Sequence, residues 1–329
     1  MPAAHLAPLF DAIARLQAGE DVGRLFHGRG GLYPGCEHLA LDVFPPVVML
    51  TSFEPLDEAL LAEIGVALQA RWQGLAQAQP LSWVYQCRHE GQSETRLMAG
   101  AVPEPHWVQE DGARYQVHLL RGQNHGLFLD MAAGRRWVRA QAQAQPGIKV
   151  LNLFAYTCAF SVAALRGGAS QVVNLDMASG ALSIGRRNHE ANGEHGLKGA
   201  SYLAHDLFTS WGKLIRGGPY ELVIADPPSY QKGSFVATKD YARLLRRLPE
   251  LLAPGGQVLL ALNTPKLTEA FLREQVAEHA PSLQFIERLA NPPAFADADP
   301  DRALKVLVYR AGPQAGADGE PAVNEGEKP

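Results

Sequence analysis

At 329 residues, with 47% apolar and 19% charged residues, the chain is long enough for two domains and too apolar for a disordered protein. A net charge of −4 argues against a uniformly basic polyanion binder, and no apolar run approaches the roughly 18 residues that a membrane span requires. Cys36, Cys87 and Cys158 are too far apart for a disulfide framework or a CxxC metal site, so a reducing, cytoplasmic setting without a metal is expected.

The opening MPAAHLAPLFDAIARLQ has the spacing of an amphipathic helix rather than a signal peptide. Next come apolar, strand-like LALDVFPPVVMLTSF and SWVYQCRH, with helix-like EPLDEALLAEIGVALQARWQGL between them. Residues 1–104 are therefore expected to form a small α+β domain. Within it, RLFHGRGGLYPG sets Arg24, His27 and Arg29 among glycines, either a phosphate-contacting loop or a tight turn with solvated arginines. AGAVPEPHW looks like a linker. In WVQEDGARYQVHL, Asp111-Gly112 lies between two extended runs and predicts a β-hairpin, because both central residues of a tight turn need positive φ.

From residue 147 strands alternate with helices, the pattern of a doubly wound parallel sheet. IKVLNLF, SQVVNLD, SYLAHD, YELVIADPP and GGQVLLALN read as strands. AFSVAALRGG, ASGALSIGRRNHEANG, TKDYARLLRRLPELL and KLTEAFLREQVAEHA read as helices. LQFIERLA and ALKVLVYR are close enough to pair antiparallel, which completes a Rossmann-like α/β domain over 105–311. The tail from 312 carries four acids and one lysine and is expected to be disordered.

In such sheets ligands collect at the carboxyl ends of the strands. Those exits are Asn152 to Ser161, Asp176, Asp206, Asp226 to Tyr230, and Asn263. The first turn, FAYTCAFS, has no glycine, which disfavours a diphosphate cradle and favours a phosphate-free cofactor such as S-adenosylmethionine. Asp176 closes an apolar strand where an acid can bind ribose hydroxyls; the plainer alternative is a cap for the helix beginning ASGALS. Asp226-Pro227-Pro228 makes a rigid turn with outward carbonyls, and Tyr230 offers a face for a planar group such as an extruded nucleobase. The plainer alternative is a turn with a capping aspartate.

NLFAYTCAFSVAAL, VVNLDMASGAL, RRNHEANG, AHDLF and LVIADPPSYQKGSF resemble class I S-adenosylmethionine-dependent methyltransferases. More closely, they are similar to the bacterial 23S ribosomal RNA enzymes that include the cytosine-5 methyltransferase with a PUA domain and the guanine-N7 half of a two-activity enzyme. The likeness covers about 107–311 and implies a seven-stranded sheet with an antiparallel C-terminal strand. It implies that HGLFLDMAAGRRWV closes over the cofactor, with Phe128 and Asp130 on its methionine side. Asn152, Phe154, Ala155, Tyr156 and Thr157 would lie beneath the amino-acid moiety. Asp176 would hold the ribose beside Met177, and Asp206 with Leu207 would meet the adenine edge. Asp226, Pro227, Pro228, Ser229 and Tyr230 match the catalytic loop.

Two departures stand out. Cys158 and Ala159 replace a usual pair of glycines, so either φ is negative there or the loop sits differently. The first hundred residues show no PUA pattern.

Cytosine-5 methylation needs a cysteine nucleophile, which relatives place at the exit of strand five. Here that exit is Asn263-Thr264-Pro265, and Cys158 reads as a packed residue, so methylation of a nitrogen in RNA, ribosomal RNA above all, is expected. Lys232, Asn263, Arg302 and Arg29 are the candidate substrate contacts. NPPAF at 291–295 imitates a catalytic tetrapeptide but follows the sixth strand and reads as a rigid turn. Asp299, Arg302 and Lys305 resemble a family loop near the substrate entrance. Arg243, Arg246 and Arg247 form either a backbone-steering cluster or a solvated face, while His189 and His195 read as surface residues. Cytosine-5, small-molecule and protein methylation, and a degenerate RNA-binding module, are the competing readings.

Overall fold

The computed structural model describes residues 4–75, 79–193, 195–228, 230–231 and 235–312. Ser229, Lys232, the side chain of Tyr230 and the tail from 313 lie outside the described residues. Helix α1 (Ala7–Ala14) buries Leu9, Ala12 and Ile13 against a five-stranded sheet. Its strands are β1 (Gly23–His27), β2 (Leu39–Phe44), β3 (Val47–Ser52), β4 (Ser82–His89) and β5 (Gln92–Ala99), hydrogen-bonded in chain order. The crossover helix α2 (Glu58–Gly74) makes β3 and β4 parallel. Its start is fixed by Asp57, whose carboxylate accepts the Leu60 amide at 2.7 Å. Leu61, Ile64, Leu68 and Trp72, at helical spacing, form its buried stripe.

The hairpin pairs β6 (His106–Glu110) with β7 (Ala113–Val117), and Asp111 and Gly112 have φ of 49° and 73°. It packs into one apolar cluster that joins Phe44, Val47 and Met49 of the N-terminal sheet to Tyr115, Val117, Leu129 and Val162.

The larger part runs α3 (Ala132–Ala144), β8 (Lys149–Leu153), α4 (Ala159–Gly167), β9 (Gln171–Asp176), α5 (Ser179–Glu190), β10 (Ala200–Ala204), α6 (Trp211–Gly217) and β11 (Tyr220–Ala225). After the two-residue strands β12 (Tyr230–Gln231) and β13 (Phe235–Val236) come α7 (Ala237–Leu245), β14 (Leu252–Leu262), α8 (Glu269–His279), β15 (Leu283–Arg288) and β16 (Lys305–Ala311). The seven strands are ordered β10-β9-β8-β11-β14-β16-β15, parallel except for β16, which runs antiparallel to both neighbours. Strand order therefore reverses between β8 and β11, the position where an α/β sheet opens a crevice. Val223, Ile224 and Ala225 of β11 are fully buried, so Asp226 leaves a rigid central strand.

His189 corrects a sequence expectation. It is 2% exposed, and its Nε2 lies 2.8 Å from Ser161 Oγ and its Nδ1 2.7 Å from the Gly185 carbonyl. RRNHEANG is polar in composition, but α5 turns this histidine inward, and burial lowers its pKa. Among the described residues no helix is long and apolar enough to cross a membrane, and no cluster of His, Cys, Asp or Glu could hold a metal ion.

Candidate active site

A cavity of about 520 Å3 opens at the carboxyl ends of β8 and β11. The loop leaving β8 forms its floor in a costly conformation: Phe154, Tyr156 and Cys158 have φ of 57°, 47° and 62°, each a left-handed residue with a Cβ. Several bonds hold it there. The Tyr156 amide donates to Asp176 Oδ2 (2.8 Å), Thr157 Oγ1 donates to the Gly126 carbonyl (2.6 Å), and Asn188 Nδ2 donates to the Thr157 carbonyl (2.9 Å). Cys158 thus keeps the positive φ expected of a glycine, and the departure from the family pattern alters the side chain rather than the backbone.

Asp176 sits at the end of β9, half-buried and facing the cavity. Its second oxygen accepts the Ala178 amide at 2.8 Å, so it braces its own turn and the β8 loop together. Each oxygen retains acceptor capacity for a ligand hydroxyl. Asp206 accepts the Thr209 amide (3.0 Å), and the next residues, Leu207 and Phe208, give the cavity an apolar wall opposite Met177. Phe128 and Tyr156 pack with ring centroids 5.4 Å apart. Phe154, Ala155 and Thr157 also line the cavity.

Asn152 does not line it. The side chain is 1% exposed and donates to Asn174 Oδ1 (2.9 Å), whose amide donates in turn to Ser161 Oγ (3.1 Å). Asn152 lies inside β8, one residue short of the strand's end, so it ties adjacent strands from within the sheet.

Asp226, Pro227 and Pro228 form the rim, and Asn263 closes it from the end of β14. Burial, with the Asp130 carboxylate adding and Arg135 opposing, pushes the Asp226 pKa up to about 7. Burial also raises Asp130. Arg135 is committed elsewhere, since it donates to both oxygens of Glu110 on the hairpin at 2.6 and 2.7 Å. The local sequence carried no signal for Arg135 beyond its place in GRRWV, because its partner is 25 residues away.

Among the described residues the lining therefore presents four carboxyls, Asp130, Asp176, Asp206 and Asp226, against one arginine that is already paired. Such a site repels phosphates and suits a cationic ligand with sugar hydroxyls and a flat apolar ring. S-Adenosylmethionine fits this donor set. No cysteine enters: Cys36 and Cys158 are buried away from the cavity, and burial raises the Cys158 thiol well above its ordinary value.

A second cavity, of about 670 Å3, adjoins the first and shares Asn124, Leu127, Phe128, Asp130 and Asn263 with it. Arg24, His27, Arg29 and Arg88 line its N-terminal side, and Asn291, Phe295, Asp299 and Arg302 line the other. The NPPAF segment is thus a wall of this second cavity. Lys305 is not at the entrance but fully buried, its Nζ donating to the carbonyls of Thr264 (2.9 Å), Leu267 (2.7 Å) and Asp301. Arg243 and Arg247 are occupied, paired with Asp240 and Glu250 at 2.9 Å each.

A family model of S-adenosylmethionine-dependent methyltransferases matches residues 23–310. The chain belongs to this family. Over 242 residues this methyltransferase is 32% identical to the ribosomal RNA large subunit methyltransferase I of Aeromonas salmonicida, an alignment covering 68% of this chain and 59% of that relative. The chain thus spans less than two thirds of that relative's length. The enzyme of the same name from Erwinia tasmaniensis is 29% identical over 307 residues, 88% of this chain and 74% of its own. A solved structure assigned as a methyltransferase and complexed with SAH covers 89% of this chain and 76% of its own, with a TM-score of 0.75 and 24% identity.

Proposed function

We propose that this methyltransferase transfers a methyl group to a base nitrogen of ribosomal RNA, with S-adenosylmethionine in the acidic cavity and the target base entering through the second. The observation that carries the reading is the junction, where Asp130 and Asn263 face both cavities beside the Asp226-Pro227-Pro228 rim. The names of the Aeromonas and Erwinia relatives support the substrate class.

When bound, S-adenosylmethionine supplies an electrophilic methyl group on a sulfonium. Asp176 would hold the ribose hydroxyls, Met177, Leu207 and Phe208 the adenine, and Phe128, Asp130 and Phe154 to Thr157 the methionine end. Asp226 and the Pro227 carbonyl would accept hydrogen bonds from the target base and align its nitrogen lone pair. A ring nitrogen needs only this positioning, whereas an exocyclic amine also uses the acceptors. Ser229, Tyr230 and Lys232 remain proposed parts of the same loop. Cytosine-5 chemistry is the weaker reading, since no cysteine lines either cavity. Residues 1–104 would recognise the acceptor and 105–311 carry the transfer.

Mass spectrometry of ribosomal RNA from a strain lacking the gene tests the reading. One missing base methyl group, restored by purified protein with S-adenosylmethionine, is expected. An unchanged methylation map together with no methyl incorporation would overturn it.

A further inference from the structure

On its N-terminal side the second cavity carries two arginines, Arg29 and Arg88, beside the Arg24–Asp42 ion pair. Among the described residues four of its five acids accept hydrogen bonds, and the fifth, Asp130, faces both cavities with its pKa raised by burial. Asp42 accepts Arg24 Nε and Nη2 at 2.6 and 3.0 Å, and Glu37 accepts the Gly35 amide at 2.8 Å. Asp297 and Asp299 accept the amides of Asp299 and Asp301, each at 2.9 Å. Arg24 is consumed by Asp42 and lies over the Phe295 ring. Arg29 and Arg88, by contrast, form no ion pair with a carboxylate among the described residues.

Both are held in place. Arg29 sits on a turn whose glycines allow close backbone approach: a Cβ on Gly28 would stand 1.8 Å from the Cys36 carbonyl oxygen, and one on Gly30 2.2 Å from that of Ala296. Its guanidinium lies over the Phe53 ring, 3.8 Å from the centroid, which fixes the plane and leaves the edge to the cavity. Arg88 leaves β4 half-buried, donating to Gln86 Oε1 (2.5 Å) and to the Gln123 carbonyl. Its Nη2 also lies 3.1 Å from His125 Nε2, and His125 Nδ1 faces the His118 carbonyl at 3.1 Å. With Nδ1 donating, Nε2 is free to accept from Arg88. Burial lowers Arg88 to about 10, opposed by Asp42 and reinforced by Arg29 and Arg24. Two cations held near each other, with no carboxylate paired to either among the described residues, are a site for an anion.

We propose that Arg29 and Arg88 seat a backbone phosphate of the strand that carries the target base, so that the base points to the Asp130 and Asn263 junction. This rests on the reading that the acceptor is RNA. Neither arginine touches the donor cavity, so cofactor binding and phosphate seating are separable.

The test is filter binding of ribosomal RNA over a salt series, with S-adenosylhomocysteine affinity and thermal melting measured on the same proteins. Arg29→Gln/Arg88→Gln should weaken RNA binding about tenfold and lower the slope of log K against log salt by roughly 1, with cofactor affinity unchanged. Arg29→Lys/Arg88→Lys should restore most of the slope, and Arg310→Gln, on β16 and lining neither cavity, should not reproduce the loss. If the wild type binds RNA but the double Gln variant keeps its affinity and slope, the phosphate seat is wrong. If the wild type binds no RNA, the substrate reading falls first and the seat with it. Should the double variant melt early, Arg29→Gln alone, at an exposed side chain, must still lower the slope.

Discussion

The thiol of Cys158 fills the space that a side chain at position 185 would need: a Cβ built on Gly185 would lie 2.5 Å from Cys158 Sγ and 3.0 Å from its Cβ. Gly185 is thus the concession that α5 makes to a non-glycine residue at φ 62° beneath the β8 loop. Gly185→Ala should destabilise by about 1–3 kcal/mol despite the better helix former. Cys158→Gly/Gly185→Ala should recover most of that loss. A double-mutant cycle by chemical denaturation checks the coupling, and strictly additive effects would show that the two positions do not compete.

The pKa of Asp226 makes two pH-dependent predictions. Its folded value, about 7, is above its unfolded value, so its contribution to stability is full below about pH 4 and is lost as pH rises through 7. Asp226→Asn should accordingly gain melting temperature over the wild type at pH 8 but hardly at pH 5. A cationic ligand in the cavity favours the ionised carboxylate, so S-adenosylmethionine binding near pH 6.5 should release protons. S-Adenosylhomocysteine should release fewer. Calorimetry in buffers of different ionisation enthalpy reads this directly, and Asp226→Asn should abolish the difference.

Cys158→Ala should keep substantial methyl transfer, because the thiol is buried outside both cavities. Asp226→Ala should lose most of it. A cysteine variant that binds cofactor and folds but is inactive would return the mechanism to carbon methylation.

Asp176 joins two loops through two charged hydrogen bonds at 2.8 Å. Asp176→Ala should therefore weaken S-adenosylhomocysteine binding at least tenfold, which corresponds to about 1.4 kcal/mol. Equilibrium dialysis at fixed pH is sufficient. Adenosine should lose as much as the full ligand if the ribose is what Asp176 holds.

Lys305 closes the loop after β14 by donating to three carbonyls while fully buried. Lys305→Met keeps the apolar stem but leaves those carbonyls without their donor, so a loss of about 2–4 kcal/mol is expected. The same variant should raise the acceptor KM more than the cofactor Kd, because the loop begins at Asn263. Denaturant midpoints and kinetics with saturating cofactor separate the two effects.

The parallel sheet was legible because its strands are buried on both faces and read as unbroken apolar runs, as in VLNLF and LVIA. The hairpin was legible from Asp111-Gly112 alone. β5 was not, since QSETRLMA is an edge strand whose partly exposed faces show no alternation, and β1 was hidden among glycines. Of the site, the strand-exit acids Asp176, Asp206 and Asp226 could be placed because topology puts them there whatever surrounds them. Asn152 was misplaced by one residue of strand, enough to turn it from the cavity into the sheet. Arg88 and Arg135 left no local trace, since each acquires its role from partners that lie tens of residues away in the chain.

The shared apolar cluster sets the mechanical character of the cleft. With Phe44 and Met49 from one sheet, Tyr115 and Val117 from the hairpin, and Val162 from α4 packed as a single core, swinging the two sheets apart would expose that whole core to water. The opening is consequently a slot of set width rather than a jaw. On the proposed RNA reading, a paired helix would have to give up one nucleotide to enter such a slot, so a loop, a bulge or an incompletely folded RNA should be preferred over a continuous duplex.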